Sequence, residues 1–445
     1  MTTAPLRTGT AVLELLRAGR FAEIRDLFAP QLRPMVPVES LQAGWTAALD
    51  QYGPVASVGA PLSEPAGPGA VVVKLPVRFE RGEQTVAISV TDAGVLTGLQ
   101  LLPASAAQPT EPWEPPAYAD PEQFDEQAVT VGDGPLAVPG TLSLPRLPRE
   151  PRQPGAAPGP WPAVVLLTGS GPHDRDETIG RNKPFKDLAW GLASRGVAVL
   201  RFDKVTYTHP SQLATARDFT VADEYLPHAV AAVHLFQRHP AIDAARVFVL
   251  GHSLGGTVAP RVAAAEPRVA GLVVLAGGTQ PLHWAAVRQV RHLASLDSAM
   301  AAASEATIEA LTRQARMIDS PGLSPSTPPS ELPFGVPASY WLDLRGYDPV
   351  ATAAALGKPM LLLQGGRDYQ VTVADDLAGW KAGLAGRSGV TIRVYDADNH
   401  LFFPGTGPSS PAEYEPAQHL DPAVVADVAS WLASTLPAPG ADGLG

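Results

Sequence analysis

V-F-V-L-G-H-S-L-G-G, residues 247–256, runs an apolar strand straight into a glycine-flanked serine and on into an alanine-rich helix. A G-x-S-x-G pentapeptide carries chemical meaning in this strand–turn–helix setting, where a sharp elbow lifts the serine hydroxyl out of the backbone as a nucleophile. Ser253 is that serine. Gly251 and Gly255 stand two residues either side of it, where a side chain would collide with neighbouring backbone. The pentapeptide alone is a weak signal; its weight depends on whether an acid and a base follow.

Both follow. M-L-L-L-Q (360–364) reads as another buried strand and leads into Gly365-Gly366-Arg367-Asp368, and the run 390–395 reads as a further strand that leads to Asn399-His400. Each candidate lies just past the end of an apolar strand, where open parallel sheets place their functional groups. In this reading His400 takes the proton from Ser253 and returns it to the leaving group, while Asp368 fixes the imidazole tautomer. Asp396 and Asp398, close to His400 in sequence, are the rival acids. The backbone N–H of Leu254 supplies one oxyanion donor. The second comes from T-G-S-G-P-H-D-R-D-E (168–177), with Ser170 preferred and Gly171 next. The charged residues His173 to Glu177, with Arg201, Asp203 and Lys204, read as an ion-pair network that anchors this loop.

The bulk composition narrows the partners. The chain has 445 residues, a formal charge of −11, and no cysteine. Without a basic stripe it does not suit a nucleic-acid backbone, and cysteine chemistry is ruled out. No run is apolar enough to span a bilayer, and the N-terminus lacks a charged-then-apolar signal pattern; the expectation is a cytoplasmic protein with no membrane partner. The ten histidines form no H-E-x-x-H pair, and no phosphate-binding glycine motif occurs. Neither a metal nor a cofactor is expected.

The pattern divides the chain. Residues 1–102 read as a small α+β domain, with helices followed by an antiparallel meander over 71–79, 84–90 and 95–102. A proline-rich linker is expected over 103–126 and a second Pro/Gly-rich surface loop over 145–162. From 127 to 278, strands alternate with helices, which implies a mostly parallel sheet covered on both faces. Residues 279–350 interrupt the alternation with a stretch far longer than an ordinary connection and are expected to form a lid; residues 351–445 complete the core. Trp284, Tyr340 and Trp341 are the aromatic candidates for a substrate pocket in that insertion.

The order Ser253, Asp368, His400 with G-H-S-L-G-G resembles the α/β-hydrolase superfamily. More narrowly, G-S-G-P-H-D-R-D-E-T-I-G-R-N-K-P-F (169–185), L-R-F-D-K (200–204) and R-D-Y-Q-V-T (367–372) resemble a bacterial serine esterase group that carries a small N-terminal α+β domain of unknown function. The resemblance implies carboxylesterase activity on short-acyl esters through those three residues. A peptidase, thioesterase or acyltransferase would use the same triad, and a non-catalytic ligand-binding protein of this fold is the reading from another class. Aminopeptidase activity would ask for an acidic group in the lid, where Glu305, Glu309 and Glu331 are the glutamates. The expected partner is a small ester, and the N-terminal unit either restricts access or mediates a homo-oligomer.

Overall fold

The computed structural model describes residues 3–29, 32–33, 36–67, 69–107, 112–146, 160–213, 216–296 and 298–435. Two compact units result, Met1–Glu111 and Pro112–Gly445. The first contains helices α1 (Thr3–Arg17), α2 (Phe21–Leu27) and α3 (Val38–Tyr52), then strands β1 (Val55–Val58), β2 (Leu62–Gly67), β3 (Ala70–Phe79), β4 (Gly82–Thr91) and β5 (Leu96–Pro103). Its strands pair antiparallel, in the order β1-β3-β4-β5 with β2 also on β3. One face of β3, Val73, Leu75, Val77 and Phe79, packs with Val12, Leu13 and Leu16 of α1 and Trp45 of α3, as the two-residue period of a strand requires. Gly9 lets α1 settle onto that face: a Cβ there would lie 2.6 Å from Val73 Cγ1.

The second unit opens with β6 (Phe124–Val131), β7 (Val138–Pro145) and β8 (Trp161–Leu167), followed by α4 (Pro184–Ala193), β9 (Ala198–Phe202), α5 (Val205–Thr208), α6 (Pro210–Leu213) and α7 (Val221–Arg238). Then come β10 (Ile242–His252), α8 (Leu254–Ala265), β11 (Leu272–Leu275), α9 (Leu282–Leu296), α10 (Ser298–Asp319), α11 (Ala338–Arg345) and α12 (Pro349–Leu356). β12 (Met360–Gly365), α13 (Ala378–Gly383), β13 (Val390–Tyr395) and α14 (Pro422–Ser434) finish the chain. The sheet order is β13-β12-β11-β10-β8-β9-β7-β6, antiparallel where β7 meets β6 and β9 and parallel elsewhere.

The central strands read as unbroken apolar runs because both faces are covered. Val165 and Leu167 of β8, Val247 and Val249 of β10, and Leu362 of β12 join the core under α7 and α8. Their neighbours Val164, Leu166, Phe248, Leu250 and Leu363 face α4 and α14. Each fully buried Val, Leu or Phe contributes roughly 1.5–3 kcal/mol, so the sheet is the rigid base from which the loops at the C-terminal strand ends project.

Three features go beyond the sequence pattern. β1 and β2 were not anticipated. Part of the stretch expected as linker is packed: the Trp113 indole donates to Asp187 at 2.8 Å and meets the Trp190 ring edge-on, and β6 begins at Phe124. Most of the loop expected over 145–162 lies outside the described residues. Among the described residues no helix is long and apolar enough to cross a membrane.

The start of the segment between β11 and β12 is tied to the helical turn after β12 by Asp376, which is 1% exposed. Its carboxylate accepts the N–H groups of Thr279, Gln280 and Thr372, and Arg288 Nη2 donates to it at 2.8 Å. Removing one partner from a buried ion pair costs about 3 kcal/mol or more. Asp376→Ala should therefore lower stability by about that amount in urea unfolding and expose the 279–350 region to limited proteolysis; an unchanged cleavage pattern would contradict the anchoring role.

Candidate active site

β10 ends against backbone, and that contact shapes the turn. Ser253 precedes α8 with φ 53° and ψ −121°, a region that costs an ordinary residue of order 1–3 kcal/mol and persists only where surroundings enforce it. They do so here. A Cβ at Gly251 would sit 2.1 Å from the Gly255 carbonyl oxygen, and one at Gly255 would sit 2.2 Å from that of Leu167. The Ser253 N–H donates to the Leu275 carbonyl at 2.9 Å, and the Ser253 carbonyl accepts from Thr257 N–H at 3.0 Å to start the helix.

Beyond β12 and β13 the acid and base candidates meet. His400 Nδ1 and Asp368 Oδ2 are 2.7 Å apart. The same oxygen accepts from Gln364 Nε2 at 3.0 Å, while Oδ1 accepts the Gln370 and Val371 N–H groups at 2.8 and 3.0 Å. Four donors thus satisfy a carboxylate whose side chain has no exposed surface. A carboxylate only accepts, so Nδ1 donates in this pair, and in the neutral imidazole Nε2 is then the nitrogen with the free lone pair. Neither Asp396 nor Asp398 bonds His400. Burial first, and the Asp421 carboxylate next, push Asp398 up to about 7.

The structure joins the imidazole to the elbow through the residue before the serine. His252 Nε2 donates to the His400 carbonyl at 2.9 Å, with the two rings 4.7 Å apart. On its other side His252 Nδ1 is 3.0 Å from Glu177 Oε1. Burial pushes His252 down, but the Glu177 carboxylate, joined by the bond to the His400 carbonyl, more than offsets it and raises the imidazolium above its usual range. Burial likewise opposes ionisation of Glu177, which His252 more than offsets. The Ser253 hydroxyl makes no hydrogen bond among the described residues. Gln364 and His252 were not picked out in the sequence; each is a polar residue at the end of an apolar strand, which is the signal that could have found them.

The charged loop residues pair as a network: Arg175 with Asp203, and Asp176 with both Arg201 and Lys183. Ser170, Gly171, Ser253 and Leu254 together line one cavity of about 780 Å³. Its roof comes from the segment between β11 and β12, where Leu282, Val336, Tyr340 and Trp341 contribute, and Leu213 and Phe219 form part of its wall. Trp284 is outside that lining. Its indole donates to Asp319 at 2.7 Å, and the neighbouring His283 faces the cavity instead. Glu305, Glu309 and Glu331 do not line it either. The carboxylates that do are Glu224, Asp319 and Asp376, and each is already paired: with Lys204, with His283 and Trp284, and with Arg288. Among the described residues no group of three or more His, Asp or Glu could hold a metal ion.

The sheet order and the strand–serine–helix turn define the class: a serine hydrolase of the α/β-hydrolase superfamily. A family model described as serine aminopeptidase, S33, matches residues 173–403, and the chain belongs to that family. Esterase EstD of Thermotoga maritima is 34% identical over 417 residues, spanning 94% of this chain and 92% of that protein. A 2,6-dihydropseudooxynicotine hydrolase of Paenarthrobacter nicotinovorans is 32% identical over 127 residues, 28% of this chain and 31% of the other. The crystal structure of a 2,6-dihydroxy-pseudo-oxynicotine hydrolase aligns with a TM-score of 0.42 at 19% identity, over 70% of this chain and 68% of that one.

Asp398 gives a pH prediction. Its folded value of about 7 lies above the 3.8 of the free side chain, so the folded protein keeps a proton that the unfolded chain releases. The associated stability is complete below pH 3.8 and is lost as pH rises towards 7. Asp398→Asn should flatten this decline, and its Tm relative to the parent should rise between pH 5 and pH 8. A Tm difference independent of pH would refute the assignment.

Proposed function

We propose that the protein is a carboxylester hydrolase working through an acyl-enzyme on Ser253. The observation that carries the reading is the fully coordinated Asp368–His400 pair, at the same end of the sheet as a serine held on a strained turn. His400 Nε2 removes the Ser253 proton as Oγ attacks the ester carbonyl, and the new C–O bond forms as the carbonyl π pair moves to oxygen. The N–H groups of Leu254 and Ser170 stabilise that oxyanion. The C–O bond to the alcohol breaks, and the alcohol leaves with the proton from His400. Water repeats the sequence through the same base and releases the acid. The hydrogen bond from Ser253 to His400 forms in this account when substrate fills the cavity, since catalytic hydrogen bonds commonly tighten only in the complex.

The cavity supports an ester over an aminoacyl amide. A free α-ammonium needs an available carboxylate, and those lining the cavity already have cationic or hydrogen-bonding partners. A volume of about 780 Å³ with an aliphatic and aromatic roof favours uncharged substrates and leaves room for more than a short acyl chain. The segment 279–350 acts as the lid in this reading, and Tyr340 and Trp341 as pocket residues.

Ser253→Ala should abolish both p-nitrophenyl ester turnover and fluorophosphonate labelling; turnover that survives would remove the mechanism. Asp368→Asn should lower kcat by about 10⁴, since the amide favours the wrong imidazole tautomer. A panel of p-nitrophenyl esters and aminoacyl p-nitroanilides should rank neutral esters first, whereas preference for the free-amine substrates would turn the assignment towards a peptidase.

A further inference from the structure

The buried ion pair formed by Lys204 and Glu224 has no part in the chemistry above, and its side chains are only 4% and 5% exposed. As a stability device it makes little sense, because a buried pair is commonly no better than apolar residues of the same volume. Its contacts suggest another reason for its place. Lys204 Nζ has three hydrogens and three acceptors: Glu224 Oε1 at 3.0 Å, Tyr225 Oη at 2.9 Å and the Gly169 carbonyl at 2.9 Å. Burial pushes the ammonium below its usual range, and the Glu224 carboxylate pulls the other way.

Gly169 lies directly against the nucleophile. A Cβ on it would approach Ser253 Cβ to 3.2 Å. Its N–H donates to Glu177 Oε1 at 2.6 Å, so that group is committed and cannot serve the substrate. Its carbonyl accepts from Lys204 and sits 2.9 Å from Tyr225 Oη. In a trans peptide the N–H of the next residue points opposite to the carbonyl. With the Gly169 oxygen drawn to Lys204, the Ser170 N–H is turned the other way. It takes no partner among the described residues, and Ser170 lines the cavity beside Ser253.

Glycine explains why an external hold is needed. Without a Cβ, the Gly169 backbone resists rotation poorly, and a flipped peptide would present a carbonyl oxygen to the developing oxyanion. We infer that Lys204 is the positioning residue of the oxyanion hole: with Tyr225 it holds the Gly169 carbonyl so that the Ser170 N–H faces the reacting carbonyl. The ammonium also polarises that peptide group, which strengthens the N–H as a donor. This inference rests on the proposed Ser253 mechanism.

The experiment compares Lys204→Met and Tyr225→Phe with the parent for kcat, KM, Tm and inhibition by a trifluoromethyl ketone, whose adduct places an oxyanion in the hole. Loss of one oxyanion donor typically costs 10²–10³ in kcat, so a misplaced donor should cost about 10- to 100-fold. Lys204→Met should show that loss in kcat with KM nearly unchanged and with inhibitor Ki raised by a similar factor; Tyr225→Phe should change both in the same direction by less. If Lys204→Met fails to fold because Glu224 loses its counter-charge, the Lys204→Met/Glu224→Gln pair carries the same comparison. A folded variant with parental kcat and Ki overturns the proposal, as does a loss confined to Tm. Fluorophosphonate labelling of the parent at Ser253 separates the two readings: an unlabelled parent defeats the mechanism, and a labelled enzyme indifferent to Lys204 defeats only this inference.

Discussion

The site depends on a contact between backbones. Strand β10 and helix α8 meet across Gly251 and Gly255 at distances that leave no room for a Cβ, and Leu167 of the adjacent strand closes the same gap. That crowding holds Ser253 at positive φ. It also fixes the distance between the elbow and the loop after β8, because Gly255 abuts the end of that strand. Any residue larger than glycine at these positions would push the helix away and take the serine with it.

Around this contact the charges are organised by desolvation. A carboxylate inside a protein must be given hydrogen-bond donors or counter-charges, and this fold solves the problem in three ways. Asp368 receives two backbone N–H groups, a glutamine and an imidazole. Glu177 shares a buried pair with His252 and also takes a backbone N–H. Glu224 meets a lysine, a threonine and a tyrosine. Each solution spans two or more distant segments, so the loops at the strand ends are held together largely by polar bonds while the sheet beneath them is held by apolar packing.

The parts of this arrangement that could be read from the chain share a property: they recur locally. The strands at β8, β10 and β12 are legible as unbroken apolar runs, and the serine turn as a pentapeptide between two of the expected element types. β1 and β2 were missed because V-A-S-V and L-S-E-P-A-G are short, partly exposed and carry no clear alternation. Trp284 drew attention by its size, yet a helix turns roughly 100° per residue, and that rotation places His283 rather than Trp284 on the cavity. Residues whose role lies in polar partners rather than in apolar packing, such as Gln364, His252 and Asp376, had no periodicity to announce them.

The Tyr340 hydroxyl, 2.7 Å from Glu224 Oε2, gives the roof of the cavity a chemical latch. If α11 swings outward, Glu224 forfeits a hydrogen bond to a charged acceptor, worth about 1.5–3 kcal/mol, in surroundings too dry to replace it at once. Opening is therefore uphill even when nothing occupies the chamber. A compound too small to touch α11 leaves this bond in place, whereas a larger one must offset the penalty through its own contacts, so the latch sets a minimum reach for anything that is to displace the roof.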